Sequence, residues 1–299
     1  MHLDHCSLKR ARFFAVFISS VITLTFIRSM YISTDILASK KLGIESCLLR
    51  PFQRDKLKSR KVSSQLSTVL TNFRNLYDFA PGNIIDIGAN KGDWSREILK
   101  IFPRANFLLC EPNSEHKDSL VSLQFEQGAQ GARFLLSNKL LGDRNGFAQY
   151  FSNANANTGN SIYRENTRHF SSDNREVSVK MLQMTTLEDL VNEKIGKEEC
   201  IDFLKIDSQG AELDILRGGK ELLPSISILL LEMSLVDYNI NGAKFADIFN
   251  FLDKNGFSLV EIVDLQRRKG VLIAVDALFV NKKSPLIKKI NEQVSQQRR

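Results

Sequence analysis

The stretch Asn83-Ile84-Ile85-Asp86-Ile87-Gly88-Ala89-Asn90-Lys91-Gly92 limits what this chain can fold into more than any other. A β-branched run leads into Asp86, Gly88 and Gly92 bracket a tight bend, and Trp94, Ile98 and Leu99 continue at helical spacing. The pattern predicts strand, loop and helix. Glycines let a backbone or ligand come close without a Cβ in the way, and the helix behind them offers unpaired N–H groups and a positive dipole end. Such a turn is expected to bind a small ligand. The same turn also occurs in α/β proteins that bind nothing there, so the remaining chain must decide.

From about residue 80 the pattern alternates strands with helices, which predicts a parallel sheet with right-handed crossovers. A strand over 106–110 ends in Glu111-Pro112, a helix covers 114–125, and a strand covers 133–137. Residues 142–146 read as a turn, and strands over 147–151 and 177–182 flank an Asn-rich loop. Thr185 or Thr186 caps a short helix. The next unit is a strand over 201–207, a turn Ser208-Gln209-Gly210, and a helix over 211–223 interrupted by Gly218-Gly219. A strand over 226–231 ends in Glu232, a helix over 245–255 stops at Gly256, and two strands over 257–263 and 274–280 close the domain. Residues 63–77 form an amphipathic lead-in helix.

Charge is unevenly spread. Residues 1–62 hold 12 Lys/Arg against 4 Asp/Glu, and the remainder is about neutral, so the net +7 belongs to the N-terminal fifth. A nucleic-acid groove would need basic residues across the folded domain, and none is expected. Within that fifth, Lys9, Arg10 and Arg12 precede an uncharged apolar run over residues 13–27 that Arg28 closes. At ~1.5 Å per residue it makes a helix of about 22 Å, short for a ~30 Å hydrocarbon core. No small-residue cleavage site follows, so an uncleaved single-pass membrane anchor is expected, with the side of the membrane left open. The absence of Asn-x-Ser/Thr sequons argues against a glycosylating lumen, while the flanking charges argue for a translocated domain. The organisation expected is an anchor over 1–30, a linker and lead-in helix over 31–79, a catalytic domain over 80–283, and a solvated basic tail over 284–299. Cys6, Cys47, Cys110 and Cys200 show no metal-ligand spacing, so no zinc site is expected, and Cys110 and Cys200 read as buried thiols.

Chemistry comes from acids that recur at one structural position. Asp86, Glu111, Asp207 and Glu232 each end a predicted strand, and in open α/β sheets ligands lie outside those carboxyl ends. An acid at the end of the second strand, where Glu111 stands, suits a ribose diol, because a carboxylate accepts from both hydroxyls. The loop lacks G-x-G-x-x-G, and Asp86 would repel a pyrophosphate, which disfavours a dinucleotide oxidoreductase. An acid before the loop suits a ligand with a positive centre. S-adenosylmethionine, with its ammonium and sulfonium, is such a ligand.

The motifs Asp86-Ile87-Gly88-Ala89-Asn90-Lys91-Gly92, Glu111-Pro112, Thr186-Leu187-Glu188-Asp189-Leu190, the block from Phe203-Leu204-Lys205-Ile206-Asp207 through Gly210-Ala211-Glu212-Leu213 to Leu216-Arg217-Gly218-Gly219, and Asp276-Ala277-Leu278-Phe279-Val280 occur in this order. Over residues 80–283 the chain resembles the FkbM-type methyltransferases. The resemblance implies an α/β, class I methyltransferase Rossmann-like seven-stranded sheet and methyl transfer from S-adenosyl-L-methionine, usually to oxygen. It implies that Asp86, Gly88, Asn90 and Gly92 line the methionine part, that Glu111 takes the ribose hydroxyls, and that Gly142 and Asp143 lie near the adenine. Asp207 would face the reacting centre as base or hydroxyl-positioning group, with Glu232 second. The family commonly has an acid where Gln209 stands. Glu212 and Arg217 read as helix-surface or ion-pair residues. The acceptor, a small molecule or glycan, would be chosen by the loop over 153–169, which includes His169. The alternative is a non-catalytic, membrane-tethered adaptor that retains the fold.

Overall fold

The computed structural model describes residues 62–128, 131, 133–153, 159–166, 177–197 and 199–296. All of the described residues belong to the unit Arg54–Arg299. The membrane anchor expected over residues 13–27 therefore lies outside them. Among the described residues no helix is long and apolar enough to cross a membrane.

Helix α1 (Ser64–Tyr77) leads into β1 (Asn83–Ile87), α2 (Asp93–Ile101) and β2 (Asn106–Cys110). A 3-10 turn over Ser114–His116, α3 (Lys117–Gly128) and β3 (Phe134–Ser137) follow. Three strands come next, β4 (Leu140–Gly142), β5 (Gly146–Asn153) and β6 (Val177–Thr186), and then α4 (Leu187–Lys194). The chain finishes with β7 (Phe203–Ile206), α5 (Glu212–Gly218), β8 (Ile228–Ser234), α6 (Phe245–Lys254), β9 (Phe257–Arg268), β10 (Val271–Asn281) and α7 (Pro285–Gln296). Seven strands form the main sheet in the order β3-β2-β1-β7-β8-β10-β9. The pairs from β3 to β8 are parallel, and β10 runs antiparallel to both β8 and β9. Strand order reverses between β1 and β7, and a crevice at their carboxyl ends is the place where such sheets bind ligands.

The apolar runs of β1, β2 and β7 are nearly continuous because both faces of the sheet are covered. One face packs Ile85, Leu204, Ile206 and Leu229 against α4, α5 and α6. The other packs Ile84, Phe107, Phe203 and Ile228 against α1, α2, α3 and α7. The lead-in helix belongs to this second layer: its cap Ser63 donates its hydroxyl to the Val263 carbonyl at 2.7 Å.

Several expectations need correction. The C-terminal segment is a helix rather than a solvated tail. Leu286 is buried, Ile287 and Ile290 pack on the core, and Lys289 donates to the Tyr77 carbonyl and reaches Asp78. Apolar residues at 286, 287 and 290 form one stripe, and the lysine run hid that helical period. Cys200 is exposed while Cys110 is buried, because Cys200 precedes its strand instead of lying in it. Strand β8 runs through Ser234, so Glu232 lies inside a strand and not just beyond one. Strands β4, β6 and β5 form a separate three-stranded sheet, with β5 antiparallel and β4 parallel to β6.

Candidate functional site

The loop after β1 needs its glycines, but for packing within the protein. Gly88 adopts φ 73° and Gly92 φ 80°. A Cβ on Gly88 would lie 1.9 Å from the Asp207 carbonyl oxygen, and one on Gly92 would lie 2.5 Å from a Leu123 methyl. The first glycine therefore lets the loops after β1 and β7 touch backbone to backbone. Asn90 stands at φ 50°, the left-handed region that asparagine tolerates better than most residues. Its amide donates to Glu111 Oε2 at 2.9 Å, and the Asn113 amide donates to Oε1 at 2.8 Å. Glu111 is thus half-buried with both oxygens oriented by backbone. Burial pushes its carboxyl above the ordinary value, outweighing the two amides, which favour the charged form.

Asp86 departs from the role the sequence suggests. Its carboxylate is fully buried and takes Lys205 Nζ at 2.8 Å on one oxygen and the Ser95 hydroxyl at 2.7 Å on the other. An exposed carboxylate waiting for a ligand's cation is replaced by an internal ion pair. Asp86 and Lys205 are register partners across β1 and β7, so their side chains stand side by side on one face of the sheet. Burial alone would lower the Lys205 pKa, but the negative charges of Asp86 and Asp207 and the hydrogen bond to Asp86 raise it. Lys205 Nζ also donates to the Gly88 carbonyl at 3.2 Å, lies 3.9 Å from Asp207 Oδ2, and sits 5.6 Å from the Trp94 ring centre. One cation therefore ties the glycine loop to the strand that carries Asp207. A lone lysine in the buried strand Phe203-Leu204-Lys205-Ile206 was the visible signal for it.

The structure brings Asp207 and Glu232 together. The Gln209 side-chain amide donates to Asp207 Oδ1 at 3.0 Å and to Glu232 Oε2 at 3.2 Å. The Gln266 amide donates to Glu232 Oε1 at 2.8 Å and reaches Asp276 Oδ1 at 3.4 Å. Glu232 and Asp276 are register partners across β8 and β10. Two amides thus lace three acids across three adjacent strands. Sequence reasoning missed Gln266, whose partners are 34 and 10 residues away.

The turn beneath this cluster is held by Glu212, which is buried rather than on a helix surface. Its carboxylate accepts from the Ser208 amide at 2.9 Å, the Ser208 hydroxyl at 3.1 Å and the Gly210 amide at 2.9 Å. Burial pushes its pKa up to about 7 despite these donors, and the nearby charge of Asp207 adds to the rise. Arg217 lies on the exposed side of α5 and pairs with Asp214 at 3.3 Å.

The Gly142–Asp143 corner follows β4. Gly142 is buried against α5, where a Cβ on Gly218 would come 2.1 Å from the Gly142 carbonyl oxygen. Asp143 is exposed and pairs with Arg144 at 2.9 Å. Tyr163 donates its hydroxyl to Asp214 on α5, which fastens part of the predicted acceptor loop to the domain. His169 lies outside the described residues. Among the described residues, no group of three or more His, Cys, Asp or Glu could hold a metal ion.

Sheet order, the reversal between β1 and β7, and the terminal antiparallel pairing define a class I methyltransferase-like α/β fold. The sequence model of the methyltransferase FkbM domain matches residues 86–259, more than half of the chain, and the protein belongs to that family. Among solved structures it is similar to the methyltransferase FkbM of Methylobacillus flagellatus KT, at 12% identity and TM-score 0.45 over 71% of this chain. The chain spans 47% of that protein's length. It is also similar to the magnesium protoporphyrin IX methyltransferase of Synechocystis PCC 6803, solved with bound S-adenosylmethionine, at 13% identity and TM-score 0.42 over 72% of this chain and 75% of the other. No curated protein matches the chain in sequence.

Proposed function

We propose that the protein is an S-adenosylmethionine-dependent methyltransferase that methylates a hydroxyl of a sugar, glycan or small metabolite. The observation that carries this reading is Glu111. Its carboxylate stands at the carboxyl end of β2, aimed by the amides of Asn90 and Asn113, beside the point where strand order reverses. That donor set fits a ribose diol, because a fixed carboxylate can accept from two hydroxyls at once. The cofactor supplies an electrophilic methyl on a sulfonium. The backbone around Gly88, Asn90 and Gly92 lines the methionine part, with Asp86 acting through Lys205, and Gly142 and Asp143 flank the adenine.

On the acceptor side, Asp207 receives or orients the hydroxyl proton, and Glu232 is the second acid. Displacement at a methyl carbon depends mostly on alignment, and a base is needed only to relieve the hydroxyl of its proton. The sequence over residues 13–27 adds membrane attachment to the proposal, and protease protection in sealed vesicles would locate the domain.

The test is calorimetric binding of S-adenosylmethionine and its demethylated product to the full chain and to Glu111→Ala. Native binding is expected, weakened in the variant by about 1–3 kcal/mol, the loss typical for hydrogen bonds to a charged group. Absence of binding by either ligand to the native chain removes the methyltransferase reading.

A further inference from the structure

Gln209 stands where the backbone resists a side chain. Its φ is 56°, in the left-handed region that residues with a Cβ rarely adopt. Two side chains from distant segments hold it there: the Ser161 hydroxyl donates to the Gln209 carbonyl at 2.8 Å, and the Asn239 amide donates to the same oxygen. Both are buried, at 3% and 7% exposure. Ser161 is itself fixed by reciprocal backbone hydrogen bonds with Phe151 on β5, and Asn239 lies past the end of β8. What this grip positions is the side-chain amide. Nε2 carries two hydrogens and has two carboxylate oxygens within reach, Asp207 Oδ1 and Glu232 Oε2. Turned over, the amide would set its oxygen against two acids. Charge therefore fixes its orientation.

We propose that Gln209 is a positioning residue for the acceptor side: it holds Asp207 and Glu232 as a fixed pair through a shared neutral donor, in place of a shared proton. The inference rests on the methyltransferase reading and assigns a role to Gln209, an amide set between two acids. Both acids then keep one orientation toward an incoming hydroxyl. The other charged groups around the bridge are Asp276 on β10, joined to Glu232 through Gln266, Glu212 on α5 below the turn, and Lys205 on β7, which is paired with Asp86. A glutamate at position 209 would bring a third carboxylate between the two. Like charges so close cannot all ionise, so the cluster would take up a proton.

The experiment compares thermal unfolding of the full chain, Gln209→Glu and Gln209→Ala between pH 5 and 8, with S-adenosylmethionine calorimetry on each. At pH 5 a protonated glutamate imitates the amide, and Gln209→Glu should unfold close to the native chain. By pH 8 it should fall behind by about 3–8 °C, the shift for one to two pKa units in a domain of this size. Gln209→Ala should lose stability at every pH in the range, because both acids lose their shared donor. Adding Glu232→Gln to Gln209→Glu restores one amide beside two acids and should close at least half of the pH 8 gap; this double variant also serves if the single one does not fold. A gap that is flat with pH, or one that the added Glu232→Gln leaves unchanged, overturns the inference. Native protein that fails to bind S-adenosylmethionine while the pH-dependent gap persists removes only the methyltransferase reading.

Discussion

The two halves of the crevice are built in opposite ways. Around the ends of β1 and β2, Gly88, Asn90, Glu111 and Asn113 lie within 26 residues of chain, and backbone amides do the orienting. Around the ends of β7, β8 and β10, Asp207, Gln209, Glu232, Gln266 and Asp276 are drawn from across 70 residues, and side-chain amides do the orienting. A backbone amide is present in every residue but proline, so the Asn113 donor survives most substitutions, while the Asn90 donor, at φ 50°, favours asparagine or glycine. The second half loses a bridge with any one side chain.

Lys205 joins the two halves, so removing it is the most severe way to break the comparison. Lys205→Met would leave Asp86 buried without its cation, and a loss of about 3–5 kcal/mol in unfolding free energy by denaturant titration is expected. A loss below about 1 kcal/mol would mean that the halves are held together by other contacts.

Glu212 offers the next largest effect. Its folded-state pKa of about 7 lies above its unfolded value, so the stability it contributes is full below pH 4.5 and is lost as pH rises through about 7. That amounts to about 3 kcal/mol on the pKa difference. Unfolding measured from pH 5 to 8 should show the decline, and Glu212→Gln should flatten it. A decline of the same slope in the variant would place the titrating group elsewhere.

The smallest expected effect sharpens the contrast. Gln266→Ala removes one amide from the cluster of Asp207, Glu232 and Asp276 and should lower stability by about 0.5–1.5 kcal/mol, the net worth of ordinary hydrogen bonds. Its affinity for S-adenosylmethionine should stay native-like by calorimetry. A variant that lost cofactor binding would show that the two halves are not separable.

These differences also explain what was legible in the chain. The strand-loop-helix around Gly88 and the acid at 111 could be read because local periodicity and a fixed offset carry them. Asp86 was read as facing a ligand because nothing local reveals its partner: Lys205 lies 119 residues away and meets it only through β-strand register. Glu212 was read as a helix-surface or ion-pair residue because a seven-residue helix is too short to declare its buried face, and its carboxylate turns back to the Ser208–Gly210 amides. The C-terminal helix was hidden because lysines flank its apolar stripe.

By itself, the sequence determined the order of strands and helices from β1 to β10, the glycines where backbones must approach, Glu111 and Asp207 just past their strands, and hence the family. Those properties follow from side-chain periodicity and local backbone conformation, which act over a few residues. Only the tertiary structure decided which acids face the crevice and which are neutralised inside it. Charge pairing depends on distances of a few ångströms between residues far apart in the chain, and strand register sets those distances.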